Sequence, residues 1–149
     1  MRALGIDLGS RRIGVALSDS GGTLATPYET VQRSGDVARD HRRLLELAAE
    51  AEVECLVVGL PLSLDGTVGP AAQGVLDEIE VLRSTTSIPV ETYDERLTTV
   101  TADHLLRQGG RSGRSRRKVV DQTAAAVLLQ GWLDARASRR LDPPPSSDA

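Results

Sequence analysis

Three strand-length apolar patterns fall within the first 32 residues, separated by little more than glycine- and serine-bearing turns. Residues 2 to 7 form the first. Ile13-Gly14-Val15-Ala16-Leu17-Ser18 forms the second, and Tyr28 to Gln32 the third. Gly9-Ser10-Arg11-Arg12 and Gly21-Gly22 turn the chain between them. Spacing this short admits antiparallel hairpins, not the long crossover a parallel pair requires. The period then changes. Behind Asp36, a plausible N-cap, Leu44, Leu47, Ala48 and Ala51 recur at helical spacing. Cys55 to Leu60 is an unbroken apolar strand of the kind buried on both faces. A loop from Pro61 to Gly69 leads to a helix opened by Pro70 and running to about Arg83. Ile88 to Tyr93 alternates as a fifth strand, followed by Asp94-Glu95-Arg96. Thr98 to Gln108 reads as a helix stopped by Gly109-Gly110, Gly109 to Ser115 as a loop, and about Arg116 to Ala137 as a last helix. Hairpins followed by alternating helices and strands specify an α/β domain: a five-stranded mixed sheet flanked by helices.

One domain accounts for residues 1–140, and the proline-rich stretch 141–149 reads as a disordered tail. No apolar run approaches the roughly 20 residues of a membrane span. The opening residues show no secretory pattern, and a single cysteine, Cys55, suits a reducing, cytoplasmic setting. Its place beside Leu56-Val57-Val58 makes it a small buried hydrophobe. The net charge of −3 gives no general affinity for nucleic acid, but its distribution is uneven. Arg107, Arg111, Arg114, Arg116, Arg117 and Lys118 follow one another with no acid between them. With no phenylalanine in the chain, a base-stacking platform is not expected.

Three acids stand at informative positions. Asp7 closes the first strand, where a charge is costly unless a cation meets it. Glu95 follows the fifth strand. Asp121 shares a helical stripe with Ala124, Ala125 and Leu128, small and apolar residues suited to packing on a sheet. If the first and fifth strands end at one sheet edge and the last helix crosses it, the three carboxylates converge. Such a cluster repels itself without a cation, and oxygen ligands suit Mg²⁺ or Mn²⁺. Each acid taken alone has a structural alternative: a strand end, a solvated turn, or a charge favourable to a helix N-terminus. His41 and His104 both fall in predicted helices and read as surface residues.

Gly5-Ile6-Asp7-Leu8-Gly9-Ser10-Arg11-Arg12-Ile13-Gly14-Val15 resembles the opening signature of the YqgF/RuvX family, pre-16S rRNA nucleases also called Holliday-junction resolvase-like proteins. Three further motifs agree with it. They are Gly59-Leu60-Pro61 with Asp65-Gly66-Thr67-Val68-Gly69-Pro70, then Asp94-Glu95-Arg96-Leu97-Thr98-Thr99, then Lys118 with Asp121 and Ala124-Ala125. The resemblance spans residues 3 to about 134. It implies a ribonuclease H-like fold and metal-dependent hydrolysis of phosphodiester bonds, with Asp7, Glu95 and Asp121 as the metal-binding and catalytic acids. Related RuvC resolvases carry a glutamate on the fourth strand, where this chain runs into Gly59.

The resemblance makes precursor 16S rRNA in ribosome biogenesis the first substrate, with branched DNA the alternative. The expected site holds two Mg²⁺ ions, one activating water and the other stabilising the leaving oxygen. Arg11, Arg12, Arg96, Arg111, Arg114, Arg116, Arg117 and Lys118 are the candidate phosphate contacts. Monomer and homodimer both stay open. Two rivals remain. Actin-like ATPases and sugar kinases share the Asp-x-Gly turn but need a second domain and a second phosphate loop. A non-catalytic RNA- or transcription-associated module would keep the fold without the chemistry.

Overall fold

A computed structural model describes residues 1–97 and 113–141, with side chains described for 1–97 and 124–139. The strands are β1 (Ala3–Leu8), β2 (Arg12–Ser18), β3 (Ala25–Gln32), β4 (Cys55–Leu60) and β5 (Val90–Asp94). Helices α1 (Val37–Glu50), α2 (Pro70–Arg83) and α3 (Gly113–Leu141) accompany them, and a 3-10 turn (Glu95–Leu97) follows β5. The sheet order is β3-β2-β1-β4-β5. β1 and β2 pair antiparallel, as do β2 and β3, while β4 runs parallel to both β1 and β5. The mixed sheet is therefore the one the element order predicted.

Side-chain alternation divides the core between two faces. Leu4, Ile6, Ile13, Val15, Leu56 and Val58 point to the face covered by α1 and α2, where Leu44, Leu47, Ile79 and Leu82 are buried. Ala3, Ala16, Cys55 and Val57 point to the face covered by α3, against Ala125, Leu128, Leu129 and Trp132. Each fully buried Leu or Ile contributes about 1.5–3 kcal/mol. On the α3 face the helix rides very close to the central strand. A Cβ on Gly5 would stand 2.8 Å from Leu129 Cβ and 3.0 Å from the Ala125 carbonyl oxygen. Glycine at position 5 is what allows that approach.

The ends of the elements follow local chemistry. Asp36 caps α1, its Oδ1 accepting from the amides of Ala38 (3.1 Å) and Arg39 (3.3 Å). Pro70 opens α2 where no helical amide is needed. β3 begins at Ala25, three residues before the expected start. It tolerates Pro27 because it is an edge strand, and the ladder slips there: Val15 faces Glu29 but Ala16 faces Pro27. β5 begins at Val90, not Ile88. α3 starts at Gly113, so residues 113–115 of the expected loop are helical, and it continues past Ala137 to Leu141. No proline interrupts this stretch, and arginine and alanine propagate helix well. The expected helix from Thr98 to Gln108 and residues 142–149 of the expected tail lie outside the described residues. Among the described residues, no helix is long and apolar enough to cross a membrane.

Candidate active site

β1, β4 and β5 are parallel, so their C-terminal ends share one edge of the sheet. The register places Ile6 beside Val58, Gly59 beside Tyr93 and Leu60 beside Asp94. Asp7, Gly59 and Glu95 lie toward the α3 face, the face to which Gly5 and Val57 also belong. β4 separates β1 from β5, which puts those two strands roughly 10 Å apart. Glu95 spans that gap. Any Cβ on Gly59 would stand 2.5 Å from Glu95 Oε1 and 2.9 Å from its Cγ, so the glutamate lies directly over the glycine. Beyond it the Glu95 carboxyl hydrogen-bonds Asp7. Burial, then the charge and hydrogen bond of Asp7, then the charge of Asp94, push the Glu95 pKa up to about 8. Near neutral pH the two carboxyls are thus held together by a shared proton.

The chemistry of this donor set fits a hard divalent cation, since two carboxyls forced into contact gain from exchanging the proton for a metal. Among the described side chains, no group of three or more His, Cys, Asp or Glu forms a metal cage. Asp121 is on α3, but its side chain lies outside the described part. Its backbone position is informative. α3 continues toward the Met1 end of the sheet, where Leu133 and Ala137 line a cavity with Met1 and Gly22. Ala125 sits over Gly5. Asp121 precedes Ala125 by one turn, roughly 6 Å along the helix. Asp7 lies two residues beyond Gly5, roughly 6.6 Å along the strand. The two displacements are similar in length.

Asp94 belongs to the other face. Its carboxylate is gripped by Arg96, with Nη2 donating to Oδ2 at 2.6 Å and Nε donating to Oδ1 and Oδ2 at 3.0 and 2.9 Å. Arg96 holds the Asp94 carboxyl below its ordinary range. Arg96 Nη1 also donates to the Leu64 carbonyl at 3.3 Å. This arginine therefore braces the loop after β4 against the turn carrying Glu95. Arg11 is exposed on the turn after β1, and Arg12 is half-buried at the start of β2. Arg114, Arg116, Arg117 and Lys118 fall in the first turns of α3. Their side chains, and Arg111 altogether, lie outside the described part.

His41 corrects the expectation of a surface residue: it is 1% exposed. It precedes Leu44 and Ala48 by three and seven residues, on the stripe that faces the core, and its Nε2 lies 2.8 Å from Glu78 Oε2 on α2. His104 lies outside the described residues. The sequence motif includes Gly59 but gives it no role; the structure makes it the gap over which Glu95 reaches Asp7. Arg33, which holds the turn after Asp7, left no sequence signal at all.

A mixed sheet in the order 3-2-1-4-5, with hairpins first and carboxyls gathered at the end of its central strand, defines a ribonuclease H-like fold. RuvC of Thermus thermophilus in complex with a Holliday junction superposes with a TM-score of 0.57 at 19% identity, covering 92% of this chain and 96% of that one. The fowlpox virus Holliday junction resolvase gives a TM-score of 0.56 at 10% identity, over 91% of this chain and 99% of the other. These likenesses speak for the fold. The chain belongs to the RuvX family, whose profile, described as Holliday junction resolvase, matches residues 1–135. Among its relatives is a protein of Mycobacterium leprae named "Putative pre-16S rRNA nuclease". It is 50% identical over 147 residues, 96% of this chain and 79% of that one. Proteins of the same name from Rhodococcus opacus and Leifsonia xyli are 50% and 49% identical, covering 91% and 92% of this chain and 79% and 88% of their own.

Proposed function

We propose that this protein is a metal-dependent nuclease that hydrolyses phosphodiester bonds at the 5′ end of precursor 16S rRNA, acting in the cytoplasm during ribosome biogenesis. The observation that carries the reading is the contact between Asp7 and Glu95, two carboxyls brought together at the end of the central strand of a RuvX-family sheet. The names of the relatives supply the substrate.

Asp7 and Glu95 would hold Mg²⁺ or Mn²⁺, with Asp121 supplying a third carboxylate from α3. When bound, the cation supplies Lewis-acid stabilisation of charge on the phosphate and makes attack by water feasible near neutral pH. The chain's own part is positioning. β1 and β5 fix the two carboxyls on a rigid edge, and Gly59 leaves the space through which Glu95 reaches Asp7. Arg11 and Arg12 stand on the turn next to Asp7, placed to receive flanking phosphates. Arg111, Arg114, Arg116, Arg117 and Lys118, a basic run in the sequence, would add further phosphate contacts. Arg96 is committed to Asp94, so its contribution is to brace the Glu95 turn as well as to add positive charge.

Cleavage of a Holliday junction is the second reading, favoured by the description of the family itself. The test is a side-by-side assay of purified protein with Mg²⁺ or Mn²⁺ on precursor rRNA and on a four-way DNA junction. Cleavage of the rRNA by the wild type, abolished in a folded Asp7→Asn variant, is the expected result. Full activity of folded Asp7→Asn would overturn the assignment, and preference for the junction would transfer it to the second reading. A symmetric dimer would accompany junction cleavage, since two strands must be cut together.

A further inference from the structure

We propose that Arg33 is a positioning residue for the Asp7 end of β1, locking the turn that follows Asp7 onto α1 and α2 through Glu78 and His41. The proposal deepens the nuclease reading and rests on it for its functional consequence.

The turn begins on Asp7 itself, whose carbonyl accepts from the Gly9 amide at 3.0 Å. It is tight: a Cβ on Gly9 would collide with the Arg12 carbonyl oxygen. Arg33, just past the end of β3, grips this turn at two carbonyls. Its side-chain Nε donates to the Gly9 oxygen at 3.0 Å, and its backbone amide donates to the Arg11 oxygen at 2.9 Å. The two remaining guanidinium nitrogens form a fork on Glu78, Nη1 to Oε2 at 2.8 Å and Nη2 to Oε1 at 2.9 Å. All three nitrogens of the side chain are therefore employed, in a planar geometry that a single ammonium cannot reproduce.

The anchor is rigid. Glu78 precedes the fully buried Ile79 on α2 and is also engaged by His41 Nε2 at 2.8 Å. His41 is buried on α1 beside Leu44 in sequence register. The next residue after Arg33 is pinned as well, because the Ser34 amide donates to the buried Asp40 carboxylate at 3.1 and 3.3 Å. α1 and α2 cover the face opposite α3. Arg33 thus transmits the rigidity of that face to the turn that ends β1, and with it to the backbone of Asp7 and the placement of Arg11 and Arg12.

The experiment compares Arg33→Lys and Glu78→Gln with Arg83→Ala. Arg83 is the control: it pairs with Glu80 and caps the Val90 carbonyl at the far end of α2, away from Asp7. Amide hydrogen exchange of peptides spanning residues 8–12, Mn²⁺ binding by calorimetry, and kcat and KM are measured on folded protein. The expected result is that Arg33→Lys and Glu78→Gln each speed exchange in the turn and weaken Mn²⁺ binding by roughly tenfold. They lower kcat similarly with KM unchanged, while Arg83→Ala costs stability alone. If both variants lose stability yet match Arg83→Ala in turn exchange and Mn²⁺ affinity, Arg33 is merely structural and the proposal is overturned. Should wild type cleave nothing, the nuclease reading fails, but exchange and Mn²⁺ binding still decide the positioning role.

Discussion

The Glu95 carboxyl lies across Gly59 and hydrogen-bonds Asp7, joining the ends of the fifth and first strands over the bare backbone of the fourth. Three consequences follow from this arrangement. Glu95 is protonated at pH values where a free glutamate is ionised. Position 59 has no room for a side chain. The pair is destabilised by its own charge once the shared proton leaves, unless a cation replaces it. The carboxyl of Glu95 occupies the space above the fourth strand that a side chain at position 59 would fill.

Cation-free stability should fall as pH rises past the ordinary glutamate value. The folded pKa of Glu95 is about 8 against 4.5 for the free group. Between those values the native state binds more protons than the unfolded state, so stability is lost with rising pH. Glu95→Gln removes the titration. In chelator-containing buffer its Tm should match wild type under acid conditions and exceed it above pH 8 by roughly 10 °C, since a shift of this size corresponds to several kcal/mol and each kcal/mol to about 2–4 °C in a chain of this size. Adding Mg²⁺ should raise the wild-type Tm and leave the variant's unchanged. Parallel pH profiles for the two proteins would refute the shared proton.

Gly59→Ala should separate the pair. Its Cβ would fall 2.5 Å from Glu95 Oε1 and 3.0 Å from Leu128 Cδ2, so the glutamate must swing away. Overpacking of this kind costs about 1–3 kcal/mol. Mn²⁺ affinity and cleavage should both collapse while the sheet persists by circular dichroism. An alanine variant with wild-type Mn²⁺ affinity would show that Glu95 does not need this path.

Glu78 should contribute to acid sensitivity with the opposite sign. Burial opposes its charge, but the hydrogen bonds and charges of Arg33 and His41 outweigh burial and hold its pKa below the ordinary 4.5. Its stabilisation is therefore present above that value and lost as pH falls through the depressed folded pKa. Glu78→Gln should cost about 1.5–3 kcal/mol near neutrality, the range for hydrogen bonds to charged groups. The gap from wild type should close on acidification in urea titrations. A gap independent of pH would show that the loss is one of packing.

Cys55 should be inert in the native state. Burial, reinforced by the hydrogen bond its Sγ makes to Glu91 at 3.3 Å, pushes its pKa up to about 12. Thiolate is the reactive species, so alkylation by iodoacetamide at pH 8 should proceed at the unfolding rate, not at the rate of a free thiol. Rapid labelling of folded protein would contradict this.

Much of the fold was legible because local rules agree with it. Hairpin spacing, the N-cap at Asp36, Pro70 at the start of α2 and the unbroken apolar run of β4 each act within a few residues, and each element appears where they place it. Ends shifted where tertiary pairing overrode propensity. β3 extends back to Ala25 because β2 offers it a ladder, and α3 gains a turn at its start because no proline opposes it. His41 was misread because its partner, Glu78, lies on another helix.

The sequence by itself determined the order of strands and helices, and it marked Asp7 and Glu95 as residues at strand ends, because periodicity, turns and caps are short-range properties of the chain. Only the tertiary structure decided that these two carboxyls meet over Gly59, that Asp94 turns away to Arg96, and that Arg33 holds the turn after Asp7 from the opposite face. Those relations depend on strand order, register and face. They are set by the packing of elements far apart in sequence, where no local pattern records which side chain crosses which backbone.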